Sequence, residues 1–122
     1  MEPTIVDERG VKVVEGQPGQ AFLANAGDVD RVIEACYAGE ASCALLYAAN
    51  LPAAFFDLSS GVAGAILQKL RNYRIRLAVV CLPGSVSYSS RFGEVVAEES
   101  RGTFFGVFET REAAVEWLMT TE

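Results

Sequence analysis

The sequence predicts an α/β fold: a single-domain, mixed, mostly parallel β-sheet, opened by an N-terminal antiparallel hairpin and crossed by helices. Three observations carry that expectation. Short apolar runs alternate with amphipathic segments in the order β-β-α-β-α-β-α-β-α, as in strands joined by helical crossovers. The chain has 122 residues, fewer than the roughly 150 of a typical domain, and no linker or repeat divides it, so residues 1–122 read as one domain. The apolar share is 51% against 21% charged residues, enough to build a core and too apolar for intrinsic disorder.

Ile5-Val6 and Val11-Lys12-Val13-Val14 are β-rich and flank Asp7-Glu8-Arg9-Gly10, where Gly10 can supply the positive φ of a short hairpin loop. This pair places one antiparallel strand at or near a sheet edge. Gln17-Pro18-Gly19-Gln20 then breaks the pattern. Val29, Val32, Ile33, Cys36 and Tyr37 fall at i, i+3, i+4, i+7 and i+8, forming one apolar helix face. Asp28 or Gly27 can cap that helix, and Gly39 suits the left-handed residue after its end. Cys43-Ala44-Leu45-Leu46-Tyr47-Ala48 is a continuous apolar run, expected of a strand covered on both faces. Asn50-Leu51-Pro52 stops it, and residues 53–56 suit a short helical turn.

Ser59 and Ser60 precede a second helix with an inner stripe of Val62, Ile66, Leu67 and Leu70. Gly61 and Gly64 are poor helix formers, costing up to about 1 kcal/mol each against Ala. They are tolerable near a helix start where something approaches the backbone closely. Ile75-Arg76-Leu77-Ala78-Val79-Val80-Cys81-Leu82 reads as a buried strand ended by Pro83-Gly84. Residues 85–90 form a polar loop; Phe92, Val95 and Val96 mark a third helix closing at Gly102. Phe104-Phe105-Gly106-Val107-Phe108 is the last strand, and Thr110 caps a final helix facing inward with Ala113, Ala114, Trp117 and Leu118. Sites in such sheets gather at the carboxyl ends of the parallel strands, here residues 49–60, 83–90 and Glu109-Thr110.

Several chemistries are removed by what the chain lacks. It has no His, so Ser-His-Asp and Cys-His hydrolases and Cys/His zinc sites are not available. Cys36, Cys43 and Cys81 are odd in number and sit in apolar runs, as small buried hydrophobes of a reducing compartment do. With 10 Lys and Arg against 16 Asp and Glu the net charge is −6, unlike a phosphate-driven nucleic-acid binder. The start Met1-Glu2-Pro3-Thr4 lacks the features of a signal peptide, and no apolar run reaches the roughly 18 residues of a membrane span. The expectation is a cytoplasmic protein with no metal, no cofactor, no nucleic-acid partner and no membrane partner.

The stretch that carries a functional expectation is Phe55-Phe56-Asp57-Leu58-Ser59-Ser60-Gly61, which leads from a strand end into a helix start. Unpaired N–H groups there favour an anion. A Ser at that point can cap the helix, with Asp57 as a turn residue, or it can carry a phosphate that those N–H groups stabilise.

The run Asp57-Leu58-Ser59-Ser60-Gly61, then Ile66-Leu67 and residues 75–82, resembles the core of the anti-sigma factor antagonist (STAS) fold, whose element order also matches over nearly the whole chain. In that family an Asp-Ser-Ser-Gly stretch opens a helix and its second Ser is phosphorylated. The resemblance implies Ser60 as phosphoacceptor, with Asp57 the preceding acidic residue. Leu58, standing between Asp57 and Ser59, departs from that pattern. A closer resemblance, over most of the chain, is to an uncharacterised bacterial family, domain of unknown function 4180. It rests on length, on Phe55-Phe56-Asp57-Leu58, Gly61, Ala63-Gly64 and Ile66-Leu67-Gln68-Lys69, and on Tyr73-Arg74-Ile75-Arg76-Leu77-Ala78. It implies no activity.

Other groups of residues carry alternatives. Phe55, Phe56, Tyr88 and Phe92 could line a small apolar pocket near the strand ends, or serve as core and loop anchors. Arg71, Arg74 and Arg76, joined by Arg91 and Arg101, could meet an anion, or simply be solvated. Glu94, Glu98 and Glu99 share a helix but have no third ligand to make a metal site. For an enzyme, only a Cys or Ser with Asp57 or Glu94 remains.

The functional expectation is therefore a non-enzymatic regulatory protein-interaction module. Its partner would be a kinase or other signalling protein, and its switch phosphorylation at Ser60 or Ser59. Its surface would comprise Phe55, Phe56, Asp57, Gly61, Ser85, Tyr88 and Phe92. The alternative is a small-molecule binding domain with an aromatic-lined pocket at the strand carboxyl ends. A homodimer through the edge strand or the final helix fits either.

Overall fold

The computed structural model describes residues 4–57, 61–81, 93–94 and 104–120. Their core is a five-stranded sheet in the order β1-β2-β3-β4-β5. The strands are β1 (Thr4–Glu8), β2 (Val11–Glu15), β3 (Cys43–Tyr47), β4 (Arg76–Val80) and β5 (Phe105–Phe108). β1 pairs antiparallel with β2, and every later pairing is parallel. The hairpin turn is Arg9-Gly10, with Glu8 opposite Val11. Both turn residues have positive φ, 55° and 87°, the geometry that follows the right-handed twist of a strand pair. The Gly10 N–H also donates to Asp7 Oδ1 at 2.9 Å.

Strand side chains alternate between faces, and the two faces have separate cores. Val14, Ala44, Leu46, Leu77, Val79 and Phe105 pack against α1 (Val29–Gly39) and α2 (Val62–Asn72). Val13, Cys43, Leu45, Ala78 and Val80 pack against Ala114, Val115 and Leu118 of α3 (Arg111–Thr120). Burial on both faces explains why β3 and β4 read as unbroken apolar runs. Of the helix expected from Phe92 to Gly102, only Gly93 and Glu94 lie among the described residues, and both are helical.

Several local expectations are corrected. Tyr37 is 74% exposed rather than on the inner stripe of α1; its ring instead meets Tyr73 edge-on at 6.5 Å. The left-handed residue after α1 is Glu40, at φ 57°, while Gly39 remains helical. Gly39 is needed for space, because a Cβ there would run into the Ile5 side chain. Asp28 bounds α1, but its carboxylate accepts the Ala24 N–H at 2.8 Å and does not cap the helix. The boundary of α2 is Gly61 at φ 79°, not a serine. Ala113 is exposed, and Val115 takes its place on the inner face of α3. The Thr110 cap is present, its hydroxyl accepting the Ala113 N–H at 3.1 Å.

Candidate functional site

Three side chains converge where the parallel strands end. Glu15 is the last residue of β2, Tyr47 the last of β3, and Arg111 the first of α3. Arg111 donates from Nε to Glu15 Oε2 at 3.0 Å and from Nη2 to Oε1 at 2.9 Å, a bidentate fork that suits guanidinium and carboxylate geometry. Its Nη1 lies 3.3 Å from Glu8 Oε1. The Tyr47 hydroxyl donates to Glu15 Oε2 at 2.6 Å.

These contacts settle the charge states. Burial of Glu15 opposes its ionisation, but the bonds from Arg111 and Tyr47, with the Arg111 charge, outweigh it and hold the carboxyl below its usual value. Burial, then the bond to Glu15 and its charge, pushes the Tyr47 hydroxyl up to about 12. The bond to Glu15 also raises Arg111. At neutral pH the cluster is therefore fixed as carboxylate, phenol and guanidinium, an arrangement that holds and orients and is not poised to move protons.

Asn50 organises the loops around this cluster. It is completely buried. Its Oδ1 accepts the Tyr47 N–H at 2.7 Å, and its Nδ2 donates to the carbonyls of Gln17 and Gln20 at 2.8 and 2.6 Å. Its own carbonyl accepts the N–H groups of Phe22 and Leu23. The loop after β2 is thereby tied to the turn after β3.

Between those loops lies a cavity of about 310 Å³. Its polar margin is Tyr47 and Arg111; the remaining wall is Pro18, Gly19, Ala48, Ala49 and Val80. A second cavity of about 350 Å³ lies at the other end of the sheet, among Tyr37, Glu40, Ser42, Tyr73 and Arg74. The first stands at the strand carboxyl ends, where α/β sheets place their ligands.

The residues singled out from the sequence are not those that line it. Phe55 and Phe56 are core residues, 0% and 3% exposed, and Phe55 stacks edge-on against Phe56 and Phe105 at 5.2 and 6.2 Å. The 3₁₀ turn Ala53–Phe56 turns both rings inward, into the core cluster that includes Ile66 and Leu70 of α2. Asp57 and Gly61 are exposed. Ser59, Ser60, Ser85, Tyr88 and Phe92 lie outside the described residues, as do Arg91, Arg101, Glu98 and Glu99. Arg71, Arg74 and Arg76 do not form one patch. Arg71 lies over the Phe104 ring at 4.5 Å on the α1/α2 side, whereas Arg76 lies over Trp117 at 4.9 Å and donates to the Leu118 carbonyl on the α3 side. Cys36 and Cys81 are buried thiols, which burial pushes up to about 12 and about 11.

Sequence reasoning passed over Glu15, Tyr47, Asn50 and Arg111. One signal was available. A cation in the first turn of a helix opposes the macrodipole, so Arg111 at the start of α3 implied carboxylates nearby.

The family model described as a domain of unknown function (DUF4180) matches residues 8–118. The chain belongs to this family. No curated protein and no solved structure matches it. The DUF4180 match runs from Glu8, the last residue of β1, into α3 and so includes Glu8, Glu15, Tyr47, Asn50 and Arg111. Among the described residues of this DUF4180 member, no helix is long and apolar enough to cross a membrane.

Proposed function

We propose that this protein is a non-enzymatic binding module that receives a small molecule at the carboxyl ends of β2, β3 and β4. The observation that carries this reading is the cavity of about 310 Å³ between the Pro18-Gly19 loop and Val80, bordered by a pre-formed Glu15–Arg111–Tyr47 cluster. Its size sits at the lower end of the roughly 300–1,000 Å³ typical of ligand pockets, and a few placed polar groups on an apolar wall are usual there. Titration of 15N-labelled protein with a library of small apolar and aromatic fragments tests it. Saturable shifts confined to Gly19, Tyr47, Ala49 and Val80 are the expected result; uniform absence of saturation overturns the reading.

A second reading makes the protein a regulatory interaction module resembling the anti-sigma factor antagonists. It would bind a kinase or other signalling protein in the cytoplasm, switched by phosphorylation at Ser60 or Ser59 and with a homodimer as a further assembly. It is favoured by the exposure of Asp57 and Gly61 at the entry to α2, and by the order of strands and helices among the described residues. Capture of a partner by the wild type and its loss with Ser60→Asp is the expected outcome, since the added charge repels an acidic partner. Equal capture by both baits removes the switch.

A further inference from the structure

The charges around the carboxyl-end cavity restrict what it can accept. The one charged residue on the wall, Arg111, is paired with two carboxylates, Glu8 and Glu15, so the ion-pair cluster that includes this wall residue carries one net negative charge. Arg111 also spends Nε and Nη2 on Glu15 and holds Nη1 against Glu8. It is thus not the open cation that a phosphate or carboxylate ligand needs. An anion entering here meets a guanidinium whose donors are already engaged by two carboxylates.

What remains open is largely apolar. Pro18, Ala48, Ala49 and Val80 present small hydrophobic walls with little polar surface between them. A guanidinium stacks on aromatic rings through its face while its edges stay hydrogen-bonded. The Tyr47 hydroxyl donates to Glu15 and takes a side-chain bond from Arg111, which leaves its oxygen one lone pair that can accept.

We infer that the cavity binds a small, flat, uncharged aromatic or heteroaromatic molecule bearing one N–H or O–H donor, and discriminates against anions of the same shape. This rests on the pocket reading above and narrows it to a ligand class. The ring lies between the apolar walls and Arg111, and its donor meets the Tyr47 oxygen.

The test uses the full chain and three probes: indole, 1-methylindole and indole-3-acetate. By heteronuclear NMR titration, indole shifts Tyr47, Ala49 and Val80 saturably. Indole-3-acetate binds at least about ten-fold more weakly, the equivalent of about 1.4 kcal/mol, and 1-methylindole is also weaker. Ala49→Leu, at an exposed position on the cavity wall, abolishes the indole shifts. Glu8→Gln, which removes one of the two carboxylates, narrows the gap between indole and indole-3-acetate. Indole-3-acetate binding as tightly as indole overturns the ligand class and leaves the pocket standing. Absence of saturation with all three probes overturns both.

Discussion

Arg111 and Glu15 stand 96 positions apart in the chain and are joined by a bidentate hydrogen-bonded ion pair at 2.9 and 3.0 Å. The pair fastens the first turn of α3 to the end of β2, across the sheet face that holds Val13, Leu45 and Val80. Glu15 is 12% exposed and Arg111 37%, so solvent screens one partner more than the other. A double-mutant cycle of Glu15→Gln and Arg111→Met by urea unfolding should give a coupling energy of about 1–2 kcal/mol. Coupling near zero would show that the fork contributes nothing beyond an ordinary surface pair.

The same cluster predicts two pH limbs. The folded pKa of Glu15 lies below its ordinary value of 4.5. Its contribution is therefore present above the unfolded pKa and lost as pH falls through the folded one. Wild type should hold a constant stability margin over Glu15→Gln above about pH 5 and lose it below about pH 4.5. Tyr47 runs the other way, raised from 10 to about 12. Its contribution is complete below pH 10 and lost as pH rises towards about 12, so wild type should lose stability there faster than Tyr47→Phe. Stability curves of the three proteins against pH check both limbs.

How far the residues reveal the fold depends on whether a signal is periodic or cooperative. β3 and β4 were readable because burial on both faces demands an unbroken apolar run, and α1 because Val29, Val32, Ile33 and Cys36 recur at helical spacing. Helix ends were less readable. α1 and α2 each end in a Schellman turn, with Ala41 N–H on Cys36 and Ile75 N–H on Leu70, and the left-handed positions are Glu40 and Arg74 rather than glycine. The candidate site was least readable of all. Glu15 ends a strand, Asn50 closes a 3₁₀ turn and Arg111 opens a helix, and no local spacing unites them. The burial of Phe55 and Phe56 was not legible either, because an aromatic pair before a loop looks the same whether a 3₁₀ turn points it inward or outward.

Asn50→Ala should be among the most damaging single changes near the site. It removes the partner of the Tyr47 N–H and of the Gln17 and Gln20 carbonyls, three part-buried groups, and an unsatisfied group costs about 1–3 kcal/mol where water cannot reach it. A loss of at least about 2 kcal/mol is expected, with faster amide exchange at Phe22, Leu23 and Tyr47. Gly16→Ala should also destabilise, because a Cβ there would overlap the Asn50 carboxamide, which its three bonds prevent from moving aside. The double variant should cost less than the sum of the singles, since removing the carboxamide vacates the space the new methyl group needs. Strict additivity in chemical denaturation would count against this contact.

Glu40→Gly should stabilise the protein. A non-glycine residue in the left-handed region costs about 1–2 kcal/mol locally, and glycine removes that cost while losing about 0.5–1 kcal/mol of chain entropy. Glu40 also places a negative charge against the carboxyl end of α1, where the dipole disfavours it. The sum is a gain of about 0.5–1 kcal/mol, or about 2–4 °C in Tm. Arg74→Gly, at φ 58° in the equivalent turn after α2, relieves the same backbone cost but gives up a cation that the dipole favours. It should therefore gain less than Glu40→Gly. Gly39→Ala is the control: Gly39 is already helical, and a methyl group there must displace Ile5. Thermal melts should rank the three as Glu40→Gly, then Arg74→Gly, then Gly39→Ala; a gain from Gly39→Ala larger than from Glu40→Gly would show that the left-handed backbone at Glu40 carries no such cost.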